Sequence, residues 1–136
     1  MRQARTILIV DDEADLADTC ARLLERVGYR CVIANNAADA LSLFDSEHPS
    51  LVLSDIALPL SDGFEIARHV HGKSPATPVI LMTAYDTPRT ARDAQAAGAA
   101  AYVLKPFKNK ELVATVKSLI TNRDGVEGRV ASRGSK

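Results

Sequence analysis

The chain has 136 residues, and its 17 Lys and Arg balance its 17 Asp and Glu, so its formal net charge at neutral pH is zero. This length fits one domain, and the balanced charge is not that of a bulk nucleic-acid or membrane binder. No stretch approaches the ~20 apolar residues of a membrane span. The two cysteines, Cys20 and Cys31, lack a C-x-x-C spacing, and we expect them to be buried free thiols in a reducing cytoplasm.

Short apolar runs alternate with helical patterns along the chain. The first run, Ile7–Val10, is continuous rather than alternating, which is typical of a parallel strand covered on both faces. Apolar residues then recur at helical spacing from Leu16 to Val27, and Gly28 stands where a helix stop is expected. Further strands are predicted at 31–34, 51–53, 79–82 and 102–104. Helices are predicted after them, opening near Asn36, Gly63 and Pro88, with a last apolar stripe from Leu112 to Ile120.

Five strand-helix units in succession predict an α/β fold. Such a pattern indicates a parallel sheet with right-handed crossovers and helices on both faces. A closed barrel would need eight units, so an open, doubly wound sheet is favoured. We expect residues 1–122 to form this domain. Residues 123–136 contain glycines, show no periodicity and supply few core-forming residues, so they are predicted to be a flexible tail or linker.

Polar residues stand at the carboxyl ends of the predicted strands. Asp11 and Asp12 follow the first strand, Asp55 ends the third, Thr83 ends the fourth and Lys105 follows the fifth. Ligands bind at this edge of open α/β sheets. The pattern alone does not reveal the strand order. If the order is 2-1-3-4-5, the first and third strands flank the point where the order reverses, and the three carboxylates meet in one crevice.

Such a crevice has a definite chemistry. Carboxylates that repel one another either take up a proton or bind a hard cation, of which Mg²⁺ is well suited to carboxylates, a backbone carbonyl and waters. Lys105 and Thr83 would then supply a charge and a donor to phosphoryl oxygens. A carboxylate is also an accepted nucleophile in phosphoryl transfer.

Four segments of the chain resemble the receiver domain of two-component response regulators. They are the acidic pair in Val10–Glu13, the phosphoacceptor segment Ser54–Gly63, the hydroxyl motif Met82–Ala84 and the switch segment Tyr102–Phe107. The resemblance covers about residues 6–121. It implies a flavodoxin-like fold: a five-stranded parallel sheet in the order 2-1-3-4-5 between two layers formed by five helices.

The resemblance also implies a phosphoacceptor and a metal site. Asp55 would take a phosphoryl group from a phosphohistidine of a sensor histidine kinase or a histidine phosphotransfer domain. Asp12, Asp55 and the backbone carbonyl of Ala57 would bind Mg²⁺, with Mn²⁺ as an alternative, and Asp11 would hold the metal mainly through water.

The remaining implied roles form a switch. Lys105 would pair with Asp55 or the phosphoryl group, and Thr83 would move to bond a phosphoryl oxygen. Tyr102 would turn inward into the space that Thr83 leaves, and the Lys105–Pro106 peptide bond is expected to be cis. The surface of the fourth helix, fifth strand and fifth helix would then repack to control an effector protein or an output module.

Several alternatives stay open on the sequence. The receiver acts alone or belongs to a longer protein. A phosphatase of the haloacid-dehalogenase type also uses an aspartate nucleophile with Mg²⁺, but its Asp-x-Asp motif after the first strand is absent, because Glu13 follows the acidic pair. The resemblance to receiver domains implies a stoichiometric switch rather than an enzyme, and we expect no direct contact with nucleic acid or membrane. His48, His69 and His71 are expected on the solvated surface.

Overall fold

The structure of the chain, a computed structural model, describes residues 5–129, with side chains from 5 to 121. Within this range, short strands and helices alternate. The strands are β1 (Thr6–Val10), β2 (Arg30–Ala34), β3 (Leu51–Asp55), β4 (Ala57–Leu58), β5 (Ser61–Asp62), β6 (Val79–Thr83) and β7 (Ala101–Leu104). The helices are α1 (Ala14–Arg26), α2 (Ala37–Glu47), α3 (Gly63–Lys73), α4 (Pro88–Ala96) and α5 (Asn109–Arg129).

The five longer strands form one parallel sheet in the order β2-β1-β3-β6-β7. Numbered among themselves, these strands have the order 2-1-3-4-5, so the predicted topology is confirmed. The central strands β3 and β6 are buried at every residue, which explains their uninterrupted apolar character. The short strands β4 and β5 pair antiparallel as a separate hairpin after β3, and no pattern in the sequence predicted this hairpin.

The core consists of one apolar cluster on each face of the sheet. Alternate residues of each strand point to opposite faces. On one face, Leu8, Val52 and Leu81 pack with residues of α2, α3 and α4. On the other face, strand residues including Leu53 and Met82 pack with residues of α1 and α5. The predicted three-layer, doubly wound α/β fold is therefore confirmed.

Polar caps fix the starts of three helices at the places that the sequence indicated. The side chain of Asn36 accepts a hydrogen bond from the Asp39 backbone N–H at 2.8 Å at the start of α2. Asp62 caps α3, which opens at Gly63, and Thr87 caps α4, which opens at Pro88. These side chains satisfy backbone N–H groups that a helix leaves unpaired.

Three further predictions can be compared with the structure. Both cysteines are free; Cys20 is buried as expected, whereas Cys31 is only half-buried. Helix α5 runs to Arg129, so its backbone enters the segment predicted as a tail or linker. Residues 130–136 lie outside the described residues, and the tail assignment stays a prediction. Among residues 5–129, no helix is long and apolar enough to cross a membrane.

Candidate functional site

The parallel register brings the predicted polar residues to one edge of the sheet. Asp55 pairs with Met82, and Thr83 pairs with Leu104, the residue before Lys105. Backbone hydrogen bonds continue past the strand ends: the Asp11 N–H donates to Ala34 at 3.1 Å, and the Lys105 N–H donates to Thr83 at 2.6 Å. The loops after four strands are thereby held side by side.

A cluster of three carboxylates lies at this edge. Asp11 is fully buried, Asp55 is 8% exposed, and Asp12 is exposed. One carboxylate oxygen from each lies within 4.8 Å of the other two. Hard oxygen donors at this spacing are the ligands that Mg²⁺ takes in proteins. The side chains present therefore fit a divalent cation.

Lys105 supplies the positive charge of the site. Its Nζ donates to Asp55 Oδ2 at 2.7 Å and to Asp11 Oδ2 at 3.3 Å. Burial alone would lower the pKa of Lys105, but the hydrogen bond to Asp55 and the two carboxylate charges outweigh it, so the pKa is raised. This lysine stays protonated at neutral pH and holds two carboxylates together.

Burial disfavours the charged form of Asp11. Burial raises its pKa, and the Glu13 backbone N–H and the Lys105 ammonium offset only part of that rise. The Glu13 N–H donates to Asp11 Oδ1 at 2.9 Å. A cation beside Asp11 would favour the charged form that burial disfavours.

The backbone around Asp55 is packed tightly. The Ala57 N–H donates to Asp55 Oδ1 at 3.1 Å, which fixes the carboxylate rotamer. Gly63 approaches from α3, and a Cβ built there would lie 2.5 Å from the Asp55 carbonyl oxygen and 3.0 Å from Ile56 Cα. In the sequence, Gly63 stands out as a helix start and as the end of the segment that resembles the phosphoacceptor segment of receiver domains. Its second function, to let α3 approach the Asp55 backbone, depends on packing that the pattern does not report.

The two predicted switch residues form hydrogen bonds with the loop after β6. Thr83 is buried, and its Oγ1 accepts from the Tyr85 N–H at 2.9 Å and donates to the Tyr85 carbonyl at 3.2 Å. The Tyr102 hydroxyl donates to Asp86 Oδ1 at 2.8 Å, and this bond raises the pKa of Tyr102. The Lys105–Pro106 peptide bond is cis, as expected. No sequence motif pointed to Asp86.

The histidine expectation was partly wrong. His48 and His71 are exposed. His69 is half-buried, with its ring edge against Phe44 of α2 at a centroid distance of 6.3 Å. Its Nε2 is buried without a hydrogen-bond partner within the described part of the chain. The packing of α3 on α2 accounts for this burial. A polar residue in a helical pattern gives no sign of such packing.

Comparisons with known proteins agree with this geometry. A family model described as the response regulator receiver domain matches residues 7–117. The structure is similar to that of a CheY-like receiver domain protein from Methanospirillum hungatei, with 32% identity and a TM-score of 0.87. That match covers 93% of this chain and all of the other.

Two curated relatives are longer than this chain. A probable transcriptional regulator, ycf27 of Porphyra purpurea, is 35% identical over 124 residues, which are 91% of this chain and 51% of the relative. The regulatory protein AtoC of Escherichia coli is 41% identical over 112 residues, which are 82% of this chain and 24% of AtoC. The chain thus spans about half and about a quarter of these proteins.

Proposed function

We propose that this chain, which belongs to the response regulator receiver domain family, acts in phosphorelay signalling by accepting a phosphoryl group on Asp55. The observation that carries this assignment is the contact of Asp55 with the Lys105 ammonium at 2.7 Å inside a cluster of three carboxylates. A nucleophilic carboxylate, a cation beside it and a set of metal ligands are the parts that phosphoryl transfer needs.

In the proposed reaction, an Asp55 carboxylate oxygen attacks the phosphorus of a partner's phosphohistidine. The new O–P bond forms as the P–N bond breaks, and the imidazole nitrogen keeps the electron pair of that bond. Lys105 donates to Asp55 Oδ2 before the reaction, so its ammonium is close enough to pair with the phosphoryl oxygens once they are bound to Asp55. The Ala57 N–H keeps Asp55 in one rotamer for the attack.

We further propose that Asp11, Asp12, Asp55 and the Ala57 carbonyl hold Mg²⁺, or Mn²⁺ in its place. When bound, the ion would neutralise charge on the phosphoryl oxygens. The chain's own contribution is to hold the carboxylates together through Lys105 and the Glu13 N–H, despite their repulsion. Exposed Asp12 faces solvent, so the site is open to ions from solution.

The output in this proposal comes from Thr83 and Tyr102. The phosphoryl group brings nearly two negative charges and new acceptor oxygens. Thr83 would give up its bonds to Tyr85 for a phosphoryl oxygen, and Tyr102 would turn into the space left. The surface formed by α4, β7 and α5 would follow by a population shift. Each chain would act as a stoichiometric switch rather than as an enzyme.

The partners follow from this role. The donor would be a sensor histidine kinase or a histidine phosphotransfer domain. The receiver domain would be residues 1–122, and residues 123–136 would be a flexible tail or linker. The receiver would control either an output module joined by this linker or a separate effector protein. The longer relatives are named as transcriptional and regulatory proteins, which supports an output module in a longer protein. The aspartate nucleophile lies at the end of β3 rather than after β1, which disfavours the phosphatase alternative.

Acetyl phosphate with Mg²⁺ tests the assignment, with intact mass as the readout. Wild type is expected to gain one phosphoryl group, and Asp55→Asn none. Asp45→Asn serves as the matched control, because Asp45 is an exposed acid paired with Lys73 on the α2–α3 side, and it should be labelled like wild type. Equal labelling of Asp55→Asn and wild type would refute the assignment.

A further inference from the structure

We propose that Asp86 is a positioning residue that holds Tyr102 in its outward orientation and thereby limits switching in the unphosphorylated chain. This inference rests on the proposed roles of Thr83 and Tyr102. It adds a residue that the sequence motifs did not include. Asp86 lies in the loop between β6 and α4, and Tyr102 lies on the edge strand β7.

The contact joins two elements across the sheet edge. The Tyr102 hydroxyl donates to Asp86 Oδ1 at 2.8 Å, over a separation of 16 residues. The Tyr102 ring packs partly against the cluster on the α2–α4 face, while Asp86 itself is exposed. The hydroxyl is therefore fixed at the surface by a charged acceptor, and such bonds are stronger than those between neutral groups.

The same loop also holds Thr83. Its Oγ1 is bonded to both backbone groups of Tyr85, the residue directly before Asp86. The two side chains that would rearrange on phosphorylation are thus both bound to neighbouring residues of one loop. When Thr83 leaves Tyr85 for a phosphoryl oxygen, the loop loses the contact that shapes it, and the Asp86 acceptor is free to move away from Tyr102.

A population argument gives the direction of the effect. If Asp86 stabilises the outward state, the fraction of chains in the switched arrangement is lowered, and the apparent affinity for a phosphoryl group falls by the same factor. Removing one hydrogen bond of this kind is expected to raise that affinity by roughly two- to tenfold. Removing a negative charge near the site would also raise the affinity for an anion, so the effect of the charge and the effect of the hydrogen bond must be measured separately.

Three variants make this separation. Asp86→Ala removes the acceptor and the charge. Asp86→Asn removes the charge but keeps an acceptor oxygen. Asp93→Asn is the control: it removes a negative charge from the exposed side of α4 beside Arg89 and keeps the hydrogen bond from Tyr102 to Asp86.

The first readout is the NMR signal of the Tyr102 ring without phosphodonor, assigned by comparison with Tyr102→Phe. We expect Asp86→Ala to shift this signal, with Asp86→Asn close to wild type and Asp93→Asn unchanged. Because no phosphoryl group is present, this measurement judges the Asp86 contact independently of the role of Asp55. A Tyr102 signal identical in wild type and Asp86→Ala would overturn the proposal.

The second readout is titration with beryllofluoride, a phosphoryl mimic, and Mg²⁺. The midpoint should fall roughly two- to tenfold in Asp86→Ala and less in Asp86→Asn. In a Tyr102→Phe background, which already lacks the hydroxyl, Asp86→Ala should add no further hydrogen-bond effect. The positioning role would be overturned if Asp86→Ala increased the affinity for beryllofluoride equally in the wild-type and Tyr102→Phe backgrounds. It would also be overturned if Asp86→Asn and Asp86→Ala increased that affinity equally. Wild type that binds no beryllofluoride would instead refute the proposed function, on which the inference rests.

Discussion

Replacing Lys105 by methionine tests how strongly the site depends on the Lys105 ammonium. Methionine matches the four-atom stem of the lysine side chain and lacks the ammonium that donates to Asp55 at 2.7 Å and to Asp11 at 3.3 Å. The Lys105 side chain is 16% exposed, and its partners are 12% and 0% exposed. Two carboxylates would remain together with little access to water.

The expected loss is large. Removing one partner of a buried ion pair costs roughly 3–5 kcal/mol, because the remaining charge is left uncompensated. Asp12, beside the buried pair, is exposed to solvent, so we expect the lower end, about 3 kcal/mol at pH 7 without metal. This is a substantial fraction of the roughly 5–15 kcal/mol by which small proteins are stable.

Urea denaturation at pH 7 in EDTA measures this loss as a lower midpoint with an unchanged slope. Added Mg²⁺ should restore part of the stability, because a cation in the pocket replaces the missing charge. Lys73→Met is the matched control, since the Lys73 and Asp45 side chains are about half exposed, and it should cost no more than about 1 kcal/mol. Equal losses in the two variants would show that the Lys105 pair behaves like a surface ion pair and would refute the reasoning.

Two further predictions concern the carboxylates and the backbone beneath them. Because burial raises the pKa of Asp11 above its usual 3.8, the wild-type chain loses stability as the pH rises through that raised value. Asp11→Asn has no carboxyl group to ionise at this position, so it does not lose this stability. In EDTA, the free energy of unfolding of Asp11→Asn minus that of wild type should therefore increase from pH 4 upward, and a decrease would contradict this sign. Gly63→Ala should cost about 1–3 kcal/mol and slow phosphoryl uptake by Asp55, because the new Cβ meets Asp55 backbone. Gly72→Ala on the same helix meets nothing within 4 Å and should be neutral or stabilising, so equal melting temperatures for both alanine variants would contradict the packing argument.

Most of the candidate site could be predicted from the sequence because its residues stand at strand ends. Continuous apolar runs identify buried parallel strands, and the carboxyl ends of parallel strands share one edge. This placed Asp11, Asp55 and Lys105 at one edge, and the resemblance to receiver domains implied that Lys105 pairs with Asp55. The side chains of all three residues are in contact through Lys105. Periodicity is a local property, so the sequence reports it directly.

The structure decided the contacts between loops that lie far apart along the chain. The bond from Tyr102 to Asp86, the burial of His69 against Phe44 and the approach of Gly63 to Asp55 each join separate elements. The β4–β5 hairpin was missed because strands of two residues are too short to show a period.

The sequence by itself thus determined the five long strands, the five helices and the polar residues at the strand ends, since burial on both faces selects apolar runs of strand length. Only the tertiary structure decided which loop side chains meet, because their neighbours depend on strand order and helix packing. For Tyr102, these brought an acceptor from the loop after β6 within 2.8 Å of its hydroxyl.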